Sequence, residues 1–580
     1  MKQERMKQTG LFKTIISSAL LLAVTSPVYA DTPLKPGKSV IGNYLAGRHA
    51  ESERDLSIAA DFLKAALAEA PEAPDLLRRT FVILTMEGRF EEAAVLAKDY
   101  IKDQPKSSVA NLMLAVNDMQ AGNHDAAENR LATLPDSGLT GLTAPVLRAW
   151  AFAGQDKTDD ALKALEALDK ESAIKAIYTL HKGLVLEYSG RHDEAMIILE
   201  EIAARDEGMS FRFAELIGNI YERTGEAEKA KALYQKYQND RPGTTLFEQA
   251  LMRVDAGDKP KPEIGSANDG AAEVLFGIAN SLRQQRARET ALVLSRLALH
   301  LKPDYPIMLT LVGELLEMDD RLVLANEFYA KVDAKSSFGR SAVMRIAANL
   351  HDMEKTDEAI SLLREVAETY LNDPEPPTKI GDYLRSRERF AEAIPEYDEA
   401  LRRAGELKPQ HWRLLYIRGI VLEREKQWIK AEKDFLKALE FEPDQPYVLN
   451  YLGYSWVEQE RNLDQALEMI QKAVKLRPND GYIIDSLGWV YYQLNEFEKA
   501  AKELERAVEY RPEDPVINDH LGDAYWKVGR KVEARFQWKR SLSLKPDESL
   551  IETVTDKLKH GLKNDDTASP EPEKKAPDNG

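Results

Sequence analysis

Small and apolar positions return along this chain every 34 or 35 residues. The clearest stretch is the last third, where Pro443, Pro478, Pro512 and Pro546 are spaced 35, 34 and 34 residues apart. Gly419, Gly453, Gly488 and Gly522 run ahead of them in the same rhythm. Between each glycine and its proline stands a fixed small pair: Ala431/Ala438, Ala466/Ala473, Ala500/Ala507 and Ala534/Ser541. The frame extends backward through anchors at Gly47, Phe81, Ala115, Ala149, Gly183, Gly218, Ala279, Gly313, Ala347 and Gly381. Twelve residues after each of these comes alanine: Ala59, Ala93, Ala127, Ala161, Ala195, Ala230, Ala291, Ala325, Ala359 and Ala393. With the last four repeats, fourteen alanines occupy one position.

A period of this length with two small positions predicts a pair of antiparallel helices per repeat, here called A and B. The anchor on helix A and the alanine on helix B belong where the two cross, because larger side chains would push the axes beyond about 8–10 Å. Leu, Tyr, Phe and Trp fill the space between repeats. Gly88, Gly122, Gly190, Gly225 and Gly529 fall in the A–B turns, where a left-handed residue ends a helix. The prolines end helix B, and Asp514-Pro515 has the chemistry of a new helix start.

Leu487-Gly488-x2-Tyr491, Leu521-Gly522-x2-Tyr525 and Ala431-x3-Phe435 resemble the tetratricopeptide motif. The resemblance implies an all-α tetratricopeptide-repeat superhelical solenoid of about fourteen helix pairs in two arrays. The frame breaks once. After Met252 the expected B helix is replaced by Gly257-Asp258-Lys259-Pro260-Lys261-Pro262 and a polar run to Gly270, which cannot pack as a helix. The organisation expected is a signal peptide at 1–30, an N-terminal array at 31–256, a linker at 257–270, a C-terminal array at 271–562 and a disordered tail at 563–580. The linker reads as a degenerate repeat closing the first array, with a hinge or binding loop as the alternative.

Composition narrows the function. The chain of 580 residues has a net charge of -18. Loss of residues 1–30 would leave 75 basic and 96 acidic residues, a net of -21. That balance disfavours nucleic acid or an anionic lipid surface as the main partner. There is no cysteine, hence no disulfide, thiolate metal site, Cys nucleophile or N-terminal lipid anchor. Lys2, Arg5, Lys7 and Lys13 precede an apolar stretch from Thr14 to Val24, and Val28-Tyr29-Ala30 fits a cleavage site before Asp31. A stretch of eleven residues is too short to span a bilayer, which takes about 20. We therefore expect export to the periplasm, with no transmembrane segment.

Catalytic chemistry is hard to find. The nine histidines are scattered, without a His-Glu-x-x-His motif or a pair at ligand spacing with a carboxylate, so no metal site is expected. Walker, GxGxxG and GxSxG motifs are missing, and no cofactor is implied. Asp485, Asp519 and Asp523 could serve a glycan-modifying enzyme, but their spacing is the repeat period and not a catalytic separation. The chain is expected not to be an enzyme. A groove that clamps a C-terminal carboxylate would need Lys, Arg and Asn on its face, whereas this one is aromatic and acidic.

In this repeat the A helices line the concave face. Its expected partner-binding residues are Tyr416, Tyr447, Asn450, Tyr454, Tyr482, Asp485, Trp489, Tyr492, Asp519, Asp523 and Trp526. Tyr and Trp bring large area at small entropic cost, and Asn and Asp can bond an extended backbone. Some of the rings could instead point between repeats as ordinary core.

The last three repeats, through Leu449-Asn450-Tyr451-Leu452-Gly453-Tyr454, Asp485-Ser486-Leu487-Gly488-Trp489-Val490-Tyr491-Tyr492 and His520-Leu521-Gly522-Asp523-Ala524-Tyr525-Trp526, resemble long envelope proteins of proteobacteria. That group includes a lipoprotein adaptor that activates a carboxyl-terminal processing protease and delivers cell-wall hydrolases to it. The resemblance implies a periplasmic adaptor holding extended segments of partner proteins, with the N-terminal array engaging a second protein. This chain departs from that lipoprotein in lacking its lipid-bearing cysteine. The competing reading is a scaffold of polysaccharide export or outer-membrane assembly.

Overall fold

A computed structural model describes residues 35–135, 137–166, 175–204, 209–241, 244–285 and 287–562. The expected signal peptide and tail lie outside these residues. The described chain holds thirty α-helices and no strand. They divide as the period requires: six pairs from Val40–Ser52 to Ala227–Asp240, the lone helix Glu248–Ala256, eight pairs from Ala267–Gln284 to Lys531–Ser543, and a last helix Glu548–His560.

All fourteen repeat alanines are buried, none more than 2% exposed. The anchors owe their size to a different neighbour from the expected one. A Cβ built on Gly218 would stand 2.3 Å from the Tyr234 ring, and one on Gly522 would stand 2.4 Å from Trp538. Gly313, Gly381 and Gly419 meet Tyr329, Tyr397 and Phe435 in the same way, sixteen residues later. A large side chain on helix B thus fills the notch left by each glycine of helix A. The alanine is small so that its own turn of helix B can approach.

The A–B turns use left-handed backbone more often than the glycines suggest. Seven residues after the anchor, φ is positive not only at the five turn glycines but also at Arg54, Asp156, Asp320, Glu354, Glu388, Lys426, Glu460 and Asn495. For an L-residue this conformation costs about 1–2 kcal/mol, part of which glycine's larger chain entropy would return. Lys426→Gly, at φ 58°, is therefore expected to stabilise the chain by about 0.5–1 kcal/mol, read as a rise in melting temperature. A fall would show that the lysine side chain has a structural role.

The chain forms two compact units, 1–353 and 354–580. The division falls in the turn between the helices Gly339–Asp352 and Thr356–Thr369, so thirteen of the fourteen pairs lie wholly in one unit. In the first unit the path changes after Glu248–Ala256, which ends on left-handed Gly257. The non-helical stretch that follows runs to Ser266, and the next pair turns back onto the first six. Ala267–Gln284 packs against the A helices Gly138–Ala153 and Lys175–Tyr188, and Arg288–Leu301 packs against Pro74–Glu87 and Ser108–Gln120. A Cβ on Gly270 would stand 2.2 Å from the Trp150 ring. Arg296 caps the Pro74–Glu87 helix, donating to the carbonyls of Met86 at 2.5 Å and Glu87 at 2.8 Å. One apolar core joins the unit from Ala50 to Ala342. The A-helix face of the first six repeats, expected to engage a second protein, is filled by the chain itself. In the second unit the pairs stack in sequence, each B helix against the A helix that follows it.

Candidate partner-binding face

The face expected to bind partners belongs to four A helices of the second unit: Trp412–Arg424, Pro446–Glu458, Gly481–Gln493 and Pro515–Lys527. Their starts are fixed locally. Pro446 and Pro515 open two of them, while Asp480 accepts from the N–H groups of Tyr482 and Ile483, and Asp514 from Val516 and Ile517. Counted from the anchor glycine, the eleven candidates occupy positions -6, -3, +1 and +4, one stripe of each helix.

The -6 position is the open one. Tyr447 is 39% exposed and Tyr482 51%, and Val516 continues the row. Arg477 lies over the Tyr447 ring, 5.6 Å from its centroid, and Arg511 over Tyr482 at 4.9 Å. Each arginine ends the B helix of its repeat, so a cation–π pair recurs with the period.

The -3 position turns out to be a seam between helices. Tyr416 is half-buried and meets Tyr451 of the next A helix edge-on, centroids 5.9 Å apart. Asp485 is buried and accepts from His520 Nδ1 at 3.0 Å. Burial works against charge on His520, but Asp485 outweighs it and raises the imidazole pKa. Asn450 is half-buried, with its Oδ1 lacking a hydrogen-bond partner.

At +1 and +4 the structure brings Tyr454, Trp489 and Tyr492 together as half-buried rings. Trp489 stacks on Tyr492 at 4.9 Å and on His520 at 4.1 Å, and its Nε1 donates to Glu458 at 2.9 Å. Burial, then the nearby Glu458, holds the Tyr454 phenol above its usual pKa.

The last repeat departs from the expectation of an open groove. Asp519, Asp523 and Trp526 are all buried beneath Glu548–His560. Lys557 Nζ lies 2.7 Å from both Asp519 Oδ2 and Asp523 Oδ2, and Trp538 Nε1 donates to Asp523 Oδ1 at 2.9 Å. Burial, and next the charge of Asp519, pushes the Asp523 carboxyl up to about 6. The ring of Trp526 packs on Trp538, and Gly561 crosses it closely. These three residues form the seat of the terminal helix. Sequence reasoning missed that helix, although Asp547 caps it and Leu550, Val554 and Leu558 recur every four residues on its inner face.

Among the described residues no group of three or more His, Asp or Glu side chains could hold a metal ion, and no helix is long and apolar enough to cross a membrane. Tetratricopeptide-repeat family models match residues 84–139, 146–210, 216–244 and 378–446, and a TPR-repeat model matches 488–529. Over these segments the chain carries tetratricopeptide repeats. None of the curated proteins matches it significantly. Among solved structures, the chain is similar to one in the APC/C hetero-tetramer Cut9-Hcn1, at 15% identity over 90% of this chain and 96% of that one, with a TM-score of 0.36. Yeast Tom70 is similar at 14% identity over 89% and 95%, with a TM-score of 0.31. YrrB, a tetratricopeptide protein with an unusual peptide-binding site, is similar at 21% identity over 33% and 97%, with a TM-score of 0.27. Likeness at this level says nothing of function. The tetratricopeptide repeat as a class is a protein-interaction scaffold, generally without catalytic activity.

Proposed function

We propose that this chain is a periplasmic adaptor whose second unit holds extended segments of partner proteins along its A-helix face. The observation that carries the reading is the aromatic run of Tyr447, Tyr454, Tyr482, Trp489 and Tyr492 on consecutive A helices, two of its rings well exposed. Tyr and Trp dominate binding hot spots because a rigid ring removes much surface from water with few rotors to freeze. Arg477 and Arg511 add guanidinium donors beside the exposed tyrosines, suited to backbone carbonyls and acidic side chains. Asp485, Asp519 and Asp523 are engaged by His520 of the next A helix and by Lys557 of the terminal helix, and do not enter the binding surface.

The compartment rests on the leader-like residues 1–30, and the partner class on the likeness of the last three repeats to envelope adaptors. A carboxyl-terminal processing protease and its substrates are the proposed partners. Affinity capture from envelope extracts, followed by mass spectrometry, tests this directly. Trp489→Ala with Tyr454→Ala is expected to weaken partner recovery about tenfold or more, with the far-ultraviolet spectrum unchanged. Full recovery of every partner by the folded double variant would remove the groove from the account. A mature N-terminus other than Asp31, or recovery from the cytoplasmic fraction, would remove the periplasm from it.

A further inference from the structure

The last B helix, Lys531–Ser543, carries two large apolar side chains on the face turned to solvent. Val532 is 81% exposed and Phe536 is 65% exposed, one helical turn apart. The buried stripe of the same helix is Ala534, Trp538 and Ser541, so the exposed pair lies on the opposite face. Lys539 and Arg540 are exposed on the turn that follows Phe536. From Arg530 to Lys545 the chain has six basic residues and one acid, Glu533, within a protein of net charge -18. Arg530 is taken up by Glu505 and Glu533, and Arg535 donates to the Leu558 carbonyl. Lys539, Arg540 and Lys545 make no ion pair among the described residues.

We infer that this helix face docks on an anionic lipid bilayer, Val532 and Phe536 entering the interface while Lys539 and Arg540 meet the phosphates. An exposed helix face with an aromatic and an aliphatic side chain inside a basic surround matches a helix lying in the headgroup region. Charge complementarity supplies the long-range attraction, since basic residues near an anionic surface each favour binding several-fold. The acidity of the rest of the chain does not cancel it. The Debye length is about 8 Å at physiological ionic strength, so charges on distant repeats are screened from a surface that this patch touches. The B helix Trp428–Phe441 provides the contrast: it also exposes Ile429 and Leu436, but sets Lys430, Lys433 and Lys437 among Glu432, Glu440 and Glu442, with Lys437 paired to Glu440. An exposed apolar pair and an unbalanced basic surround coincide on Lys531–Ser543.

Co-sedimentation with vesicles of equal phosphatidylglycerol and phosphatidylcholine tests the inference, using the full secreted chain with its N-terminus verified by mass spectrometry. Wild-type protein should sediment with these vesicles, but not with phosphatidylcholine alone. Binding should weaken as salt rises from about 0.1 to about 1 M, where the Debye length falls from about 10 to about 3 Å. Val532→Ser with Phe536→Ser should lose about tenfold or more of the binding, as should Lys539→Glu with Arg540→Glu. All four side chains are exposed, so both variants should keep the wild-type melting temperature. A wild-type chain that stays in the supernatant overturns the inference, and so do folded variants that sediment like wild type. Loss of an acidic protein from pull-downs with either variant, vesicle binding being unchanged, would assign the face to a protein instead.

Discussion

Arg212→Met is expected to cost the first unit about 3–5 kcal/mol, the price of leaving buried carboxylates without their counter-ion. Arg212 is buried at the start of the helix Phe211–Thr224. Its Nη2 donates to Glu273 at 2.8 Å, and its Nη1 to Glu215 at 2.6 Å and Glu263 at 3.1 Å. The Tyr305 ring lies 5.2 Å from the guanidinium carbon, and its hydroxyl donates to Glu273. Glu273 belongs to the helix that fills the A-helix face of the first six repeats. The cluster therefore ties that helix to the sixth pair, and Tyr305 brings in the start of the next pair.

The pH dependence has a defined sign. Burial opposes charge on Glu273, but Arg212 outweighs it and holds this carboxyl below its usual pKa. Glu215 goes the other way: burial, only partly offset by Arg212, pushes it up to about 7. A raised carboxyl lowers stability as pH climbs from its unfolded value near 4.5 to its folded value, because the unfolded chain releases its proton first. Removing the arginine should push Glu215 and Glu273 in that direction, so the loss should be smaller at pH 5 than at pH 8. Adding Glu273→Gln should recover part of it. Denaturant titration gives the free energy, and hydrogen exchange across 267–284 shows whether the inserted helix loosens first. A variant within about 0.5 kcal/mol of wild type at pH 8 would mean that water reaches the carboxylates.

The period made the helix pairs legible because one steric demand, close approach of A and B, is repeated in every repeat. Fourteen buried alanines are the direct trace of it. Turn geometry was only half legible, since Lys426 and Glu388 take the left-handed conformation that Gly225 and Gly529 advertise. The refilled face of the first unit was not legible. Gly270 against Trp150 and Arg296 against Met86 join residues far apart in sequence, and neither pair follows the period. The aromatic strip was legible as a set of positions but not as a surface. A residue three before the anchor meets one two before the next anchor, as Tyr416 meets Tyr451 and Asp485 meets His520. That rule lies in the tilt between successive A helices. It decides which side chains remain for a partner.

Lys557→Met should release the terminal helix Glu548–His560 from the last repeat. Lys557 is the ammonium shared by Asp519 and Asp523, and no other cation donates to these two carboxylates among the described residues. The cost of stranding them is about 3 kcal/mol or more in a closed core. A terminal helix has a cheaper escape, because undocking lets water reach both acids, so the loss should stop at the docking free energy of that helix. The rest of the unit should melt nearly as before. Asp523 sets the pH dependence of docking. Raised to about 6, it makes docking weaker as pH rises from about 4 towards 6. The imidazole of His520 is raised through Asp485 on the neighbouring A helix, a pair that survives undocking, so its pH-dependent contribution goes to the unit and not to the docked helix. Through Asp523 the helix should be held more tightly at pH 5 than at pH 8. Hydrogen exchange across 548–560, corrected for intrinsic rates, measures this in wild type and variant. Equal protection in the two proteins would show that Trp526, packed between Trp538 and Gly561, holds the helix without the ion cluster. Loss of protection confined to this helix would expose Trp526 beside Trp489 and Tyr492. Release of the cap would then lengthen the proposed partner-binding face by one repeat.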